Sequence, residues 1–298
     1  MAQDVAPALS NKIDRDFERR MENDRTVQRI LNRIRDGTAT QGDVSEYAAR
    51  VGRHSSAAMR GVLTPENLPD GKLYWNIADR TIRPRLESNH GLVLNAAKKT
   101  QKQINTAAGY NINPPTTKIN NWQVSNLLNS ATMDGANLDA VLHEPVITLA
   151  RKSYDDFQKS NVEQMQALGV RAIVHREYDG VGLHDGKLPC QWCIDRAGTY
   201  ESVGSAQEAG AFERHDGCGC TVEVIYDDGV KQDPWTKAEW DEAQGESRKA
   251  SIEAKQKELL ERTKSHKEDV TAREYFVRQK MNQGMTARGA LDEYYRTR

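Results

Sequence analysis

The four cysteines of this 298-residue chain all fall between positions 190 and 220. They read Cys190-Gln191-Trp192-Cys193 and Cys218-Gly219-Cys220, with His215 three positions before Cys218. A Cys-x-x-Cys turn points two thiolates at one ion. A His-x-x-Cys turn does the same with an imidazole and a thiolate, and two such half-sites close a tetrahedral zinc site. Gly217 and Gly219 flank Cys218, where a tight knuckle needs backbone freedom. Soft thiolates favour zinc over magnesium or calcium. Five side chains compete for four places. The preferred ligand set is Cys190, Cys193, His215 and Cys218, because both pairs then have two intervening residues. Cys220 in place of His215 gives an all-thiolate alternative. The bland reading is buried thiols or disulfides. The stretch from Met1 to Met21 has no apolar segment of signal-peptide length, and no run approaches the ~18 apolar residues of a membrane helix. The expected compartment is therefore a host cytosol, with no membrane partner. There a cysteine cluster reads as metal or catalysis before disulfide.

Around this cluster the sequence predicts a mainly α chain with a small α+β knuckle unit. A charged helix is expected from about Lys12 to Asp36, capped by Ser10 and stopped by Gly37. Ile13, Phe17, Met21, Ile30, Leu31 and Ile34 form its thin apolar stripe. Further helices are expected over Asp43 to Val62, in two pieces between Leu73 and Ala108, over Asn121 to Ser130, and over Pro145 to Leu168 with Gly169 as the stop. Strands are expected at Arg171 to His175 and at Thr221 to Tyr226, with a Gly- and Asp-rich loop from Asp179 to Lys187. Pro114-Pro115 marks a linker, so the expected regions are 1–115 (N-terminal helices), 116–230 (central knuckle domain) and 231–298 (charged helices). In the last of these, Ser247 to Gln283 has too few apolar residues to stabilise a core of its own. Tyr275-Phe276-Val277 with Met281, and Tyr294-Tyr295, read there as anchors for a partner. Hydrophobic residues make up 37% and charged residues 29%, which fits a modest core. The net charge of -1 argues against capture of nucleic acid by the chain as a whole.

Several other patterns in the sequence compete with the knuckle. His175-Arg176-Glu177 followed by Pro189-Cys190-Gln191-Trp192-Cys193 has the letters of a zinc deaminase. That arrangement opens a helix at each half-motif, with a helix and a strand between them. Only eleven residues separate Glu177 from Pro189, and they include three glycines. Gly182 to Lys187 lacks the glycine spacing of a phosphate loop and has Leu188 where a Ser or Thr is needed. His184-Asp185 and His215-Asp216 lack the further carboxylates of a hydrolytic metal centre. Arg25, Arg29 and Arg33 make one helix face basic, a candidate for DNA phosphates, but Glu18, Glu22 and Asp24 beside them favour a solvated face.

The stretch Val170 to Tyr226 resembles the phage Mu F-like minor head protein family, in the variant found in phages of Gram-positive hosts. His184-Asp185-Gly186-Lys187, Pro189-Cys190-Gln191-Trp192-Cys193, Arg196-Ala197-Gly198-Thr199 and Phe212-Glu213-Arg214-His215-Asp216-Gly217-Cys218-Gly219-Cys220 carry the resemblance. It covers roughly a fifth of the chain well; Ala96 to Gly109 is similar less specifically. It implies a central Mu F-like domain in a structural virion protein. Such a protein sits near the portal among other head proteins, serves head morphogenesis and DNA packaging or ejection, and touches packaged DNA. It also implies no catalytic activity. The alternatives are a zinc-ribbon nucleic-acid-binding module and a metal-dependent nucleic-acid enzyme.

Overall fold

The computed structural model describes residues 4–177, 191–226, 275–277, 279–280, 283, 285 and 293–294. The chain is mainly helical with a small three-stranded antiparallel sheet. Its contacts divide it into two units, Met1–Gln164 with Phe212–Cys218, and Met165–Ala211 with Gly219–Arg298.

The first unit is built on α1 (Ala6–Asn23), α2 (Arg25–Asp36), α3 (Gln41–Val62), α4 (Trp75–Ala107), α5 (Asn121–Ala131) and most of α6 (Leu138–Ala167). The single helix expected at the N-terminus is two. It starts at Ala6 with a proline in its first turn, a position where the missing N–H costs nothing. It breaks at Asp24, whose extended backbone lets its Oδ1 accept from the N–H groups of Thr26 (2.8 Å) and Val27 (3.2 Å). An aspartate that caps a new helix in this way satisfies donors that a continuous helix would not leave open. Leu9, Ile13, Phe17 and Met21 face the core at four-residue steps, followed on α2 by Val27, Ile30 and Ile34. Leu31, which the sequence placed in the stripe, stands 38% exposed.

Two prolines lie inside helices, one of them Pro145, where a helix was expected to begin. α4 runs unbroken through Pro84, and α6 through Pro145. A proline removes one i→i−4 donor. Around Pro84 that loss is outweighed by burial of Ile77, Ala78, Ile82 and Leu86. α6 starts seven residues before Pro145, where the Asn137 side chain accepts from the Ala140 N–H at 3.2 Å.

The second unit holds the sheet, ordered β2-β1-β3, with β1 (Ala172–Glu177) antiparallel to β2 (Gly198–Tyr200) and to β3 (Thr221–Tyr226). β3 has the bounds expected from its alternation. β2 was not among the expected strands, because three residues are too short to show a period of two. Every residue from Ala172 to Arg176 is buried, as befits the central strand. The short helices α7 (Gln191–Asp195) and α8 (Val203–Glu208) complete the unit, α8 packing on β1 and β2. Trp192 lies with the Arg196 guanidinium 3.9 Å and the Arg176 guanidinium 5.5 Å from its ring centre. Phe276 and Tyr294, expected as parts of two separate partner anchors, meet each other with ring centres 5.4 Å apart, and Val277 is buried. The Asp179 to Lys187 loop and most of the expected Ser247 to Gln283 helix lie outside the described residues. None of the described helices is long and apolar enough to cross a membrane.

Candidate metal centre

One face of α6 holds the His-x-x-Cys turn. Thr148, Arg151, Lys152 and Asp155 follow one another at helical spacing, and each of them grips the segment Phe212–Cys218. Thr148 Oγ1 accepts from the Gly217 N–H at 3.3 Å. Arg151 Nη1 donates to the Cys218 carbonyl at 3.1 Å, and Lys152 Nζ to the Phe212 carbonyl at 3.1 Å. Asp155 takes both edges of the Arg214 guanidinium, Nη2 at 2.9 Å and Nε in a shorter contact. The turn closes on itself through the Cys218 N–H to the His215 carbonyl at 3.1 Å. Gly217 has φ +76°, and a Cβ there would stand 3.3 Å from Glu144 Oε2. The glycine that the knuckle was expected to need is thus required by backbone conformation and strained by substitution.

The imidazole of His215 is oriented by its own loop. Its Nδ1 lies 2.7 Å from the Asp216 carbonyl, which can only accept, so Nδ1 carries the proton. In the neutral ring Nε2 then has the lone pair, the tautomer that a metal ligand needs.

Among the described residues, one ligand atom from each of Cys193, His215 and Cys218 lies within 4.8 Å of the other two, a group that could hold a metal ion. Cys193 is buried on α7 and Cys218 is buried at the end of the turn. Three of the five residues expected as ligands are thereby brought together. Cys220, buried at the edge of β3, is not in that group. Cys190 lies outside the described residues.

The surroundings are electrostatically uneven. Burial, then the nearby cations of Arg214 and Arg53, pushes the Arg151 guanidinium down to about 10, against the pull of Cys218 and Glu46, and it stays charged at neutral pH. Burial also raises the Asp216 carboxyl above its ordinary value; His215 opposes this and Glu144 adds to it. A cavity of about 450 Å³ borders His215 and Asp216, with Leu127, Val141 and Leu149 on its apolar side and Trp122, 72% exposed, at its rim. This is the volume of an ordinary small-molecule pocket.

The other motifs fall elsewhere. His175 and Glu177 sit on β1, with His175 buried and its Nδ1 3.0 Å from Thr199 Oγ1. The first half of the deaminase pattern is therefore in a strand, where that chemistry needs a helix start. His184 and Asp185 lie outside the described residues. Arg25, Arg29 and Arg33 are exposed on α2, and Arg33 pairs with Asp43 at 3.0 Å. The row on α6 was missed from the sequence. Alternating Thr, Arg, Lys and Asp on a helix reads as a solvated face, and nothing local announces a turn some sixty residues later that covers it. No family of known proteins, no curated protein and no solved structure matches this chain.

Proposed function

We propose that this chain is a non-enzymatic structural protein whose Cys/His knuckle holds one zinc ion, and that it serves as a minor head protein of a tailed bacteriophage. The observation that carries the reading is the convergence of Cys193, His215 and Cys218. Residues from both sequence half-sites meet there, in the stretch that resembles the Mu F-like minor head proteins. The fourth ligand in the preferred set is Cys190. A closed tetrahedral site of this kind contributes folding energy and leaves no open position for chemistry. The protein would work in the capsid interior or at the portal vertex, against the portal and other head proteins, during packaging or ejection of DNA.

Virion location is the direct test. Cryo-EM of purified particles should place the chain at or near the portal vertex, in few copies. Particles made without it should be defective in head assembly or DNA content. Wild-type particles that lack the chain altogether would contradict the reading. A biochemical test runs beside it: neither deaminase nor nuclease activity is expected with added Zn, Mg or Mn. Turnover of cytidine that disappears in Glu177→Ala, or DNA cleavage lost in His184→Ala, would reverse the non-enzymatic part.

A further inference from the structure

The surface around α5 is set apart by what it lacks. In a chain with 29% charged residues, Ile119 to Met133 holds none. Val124, Leu127, Leu128 and Ala131 face the core of the first unit. On the outward side Trp122 is exposed, and Met133, just past the helix end, is 68% exposed. Trp75 is half-exposed beside that same end, its Nε1 donating to Asn129 Oδ1 at 3.3 Å. With Tyr74 these are four of the eight large hydrophobic side chains that stand exposed among the described residues. Aromatic rings and a methionine with no charge between them have the composition of an interface core, not of a solvated face.

Each end of α5 carries both a projection and a hollow. Trp122 rims the cavity of about 450 Å³ at the start of the helix. Trp75 and Met133 border a second cavity, of about 330 Å³, at its end. From Trp122 to Ala131 the rise of about 1.5 Å per residue sets these ends about 14 Å apart. Asn126 is exposed midway, with an amide that both donates and accepts. Of the charged side chains on the two cavities, Lys72 pairs with Asp134, Lys152 with Asp156 and Arg214 with Asp155, while Asp216 lies beside His215. The cavities therefore offer no free lysine or arginine to a phosphate-bearing partner.

This layout is complementary to itself. Two α5 helices laid antiparallel across a two-fold axis at Asn126 bring the start of each against the end of the other. The projection at each end then meets a hollow, as an isologous contact requires. A charged face would repel its own copy across the axis, and this one has no charge to repel. The exposed area of the four side chains and the amides between them is on the order of 600 Å² per copy, the small end of specific interfaces. We propose that the α5 face is a self-association surface: two copies of this chain pair antiparallel through it, with Trp122 of one seated in the cavity beside Trp75 and Met133 of the other. The pairing goes beyond the head-protein role and does not depend on the metal centre.

The test is sedimentation velocity of the full-length protein in reductant, from micromolar to near-millimolar concentration. The wild type should pass from monomer to dimer within that range, as an interface of this size allows. Trp122→Ala and Met133→Glu should each weaken the dimer at least ~10-fold. Added salt should change it little, because no charge pair holds it. Both side chains are exposed, so the thermal melts of the two variants should match the wild type. In Asn126→Cys, mild oxidation should link two copies, and peptide mapping should join position 126 to itself, which only the antiparallel arrangement places opposite its own copy. A wild type that stays monomeric throughout would overturn the proposal, whether the face then takes another protein, a neutral glycan or nothing. So would a dimer that Trp122→Ala leaves unchanged.

Discussion

Single residues fix more of this molecule than its composition suggests. A Cβ at Gly52 on α3 would stand 2.7 Å from the Ile147 Cα and 3.1 Å from the Ala150 Cβ, so the backbones of α3 and α6 approach closely there. Gly52→Ala should destabilise the first unit by about 1–3 kcal/mol, the range for overpacking a close contact. A urea titration measures this, and an unchanged midpoint would mean that the helices do not approach so closely. Asp24 is a second such point. Burial works to raise its pKa, but the hydrogen bond with His54, the Val27 N–H, the Arg50 charge and the Thr26 N–H outweigh it, lowering the value from 3.8 to about 2. The folded-state pKa is depressed, so the stability it contributes is present above pH ~4 and is lost as pH falls through the window from 3.8 to about 2. The amount is at most about 2.5 kcal/mol. Thermal melts from pH 5 to pH 2 should show a steeper loss in the wild type than in Asp24→Asn; identical slopes would remove Asp24 from the account. Asp24 was legible as a cap residue by type. It was read through because charged neighbours on both sides continue a helical pattern. Gly52 was not legible at all, since its role depends on a helix almost a hundred residues away.

At the scale of elements, strongly periodic segments were readable and long-range pairings were not. The α1 stripe and the β3 alternation appear in the sequence because burial on one face imposes a period. The unity of α4 and the true start of α6 were hidden, because Pro84 and Pro145 are local boundary signals that the surrounding helix overrides. β2 was hidden by its length. The α6 row was hidden because polar residues at helical spacing look the same whether water or a loop covers them. That row makes its own prediction. Asp155→Ala leaves Arg214 buried without its carboxylate, which should cost about 3–5 kcal/mol, the range for breaking a buried pair. Replacing the exposed pair Arg35–Asp36, 72% and 57% exposed, should change stability by less than about 1 kcal/mol. Chemical denaturation of the two variants side by side would settle the contrast, and an Asp155→Ala as mild as the surface variant would contradict the buried grip on the turn.

For the whole molecule, a mainly helical chain with one small sheet follows from composition and periodicity, and the structure has that architecture. Of the site, the residue types and two half-motifs were legible, and Cys193, His215 and Cys218 do come together. The arginines that flank Cys218 were not, because a buried cation has no sequence signature until its partner is placed. The central claim is that this cluster is a metal site. It is tested most directly by elemental analysis of the full-length protein purified without chelator. The account predicts about one zinc per chain, falling close to zero in Cys193→Ser and in Cys218→Ser. A wild type that is folded and carries no metal would contradict it.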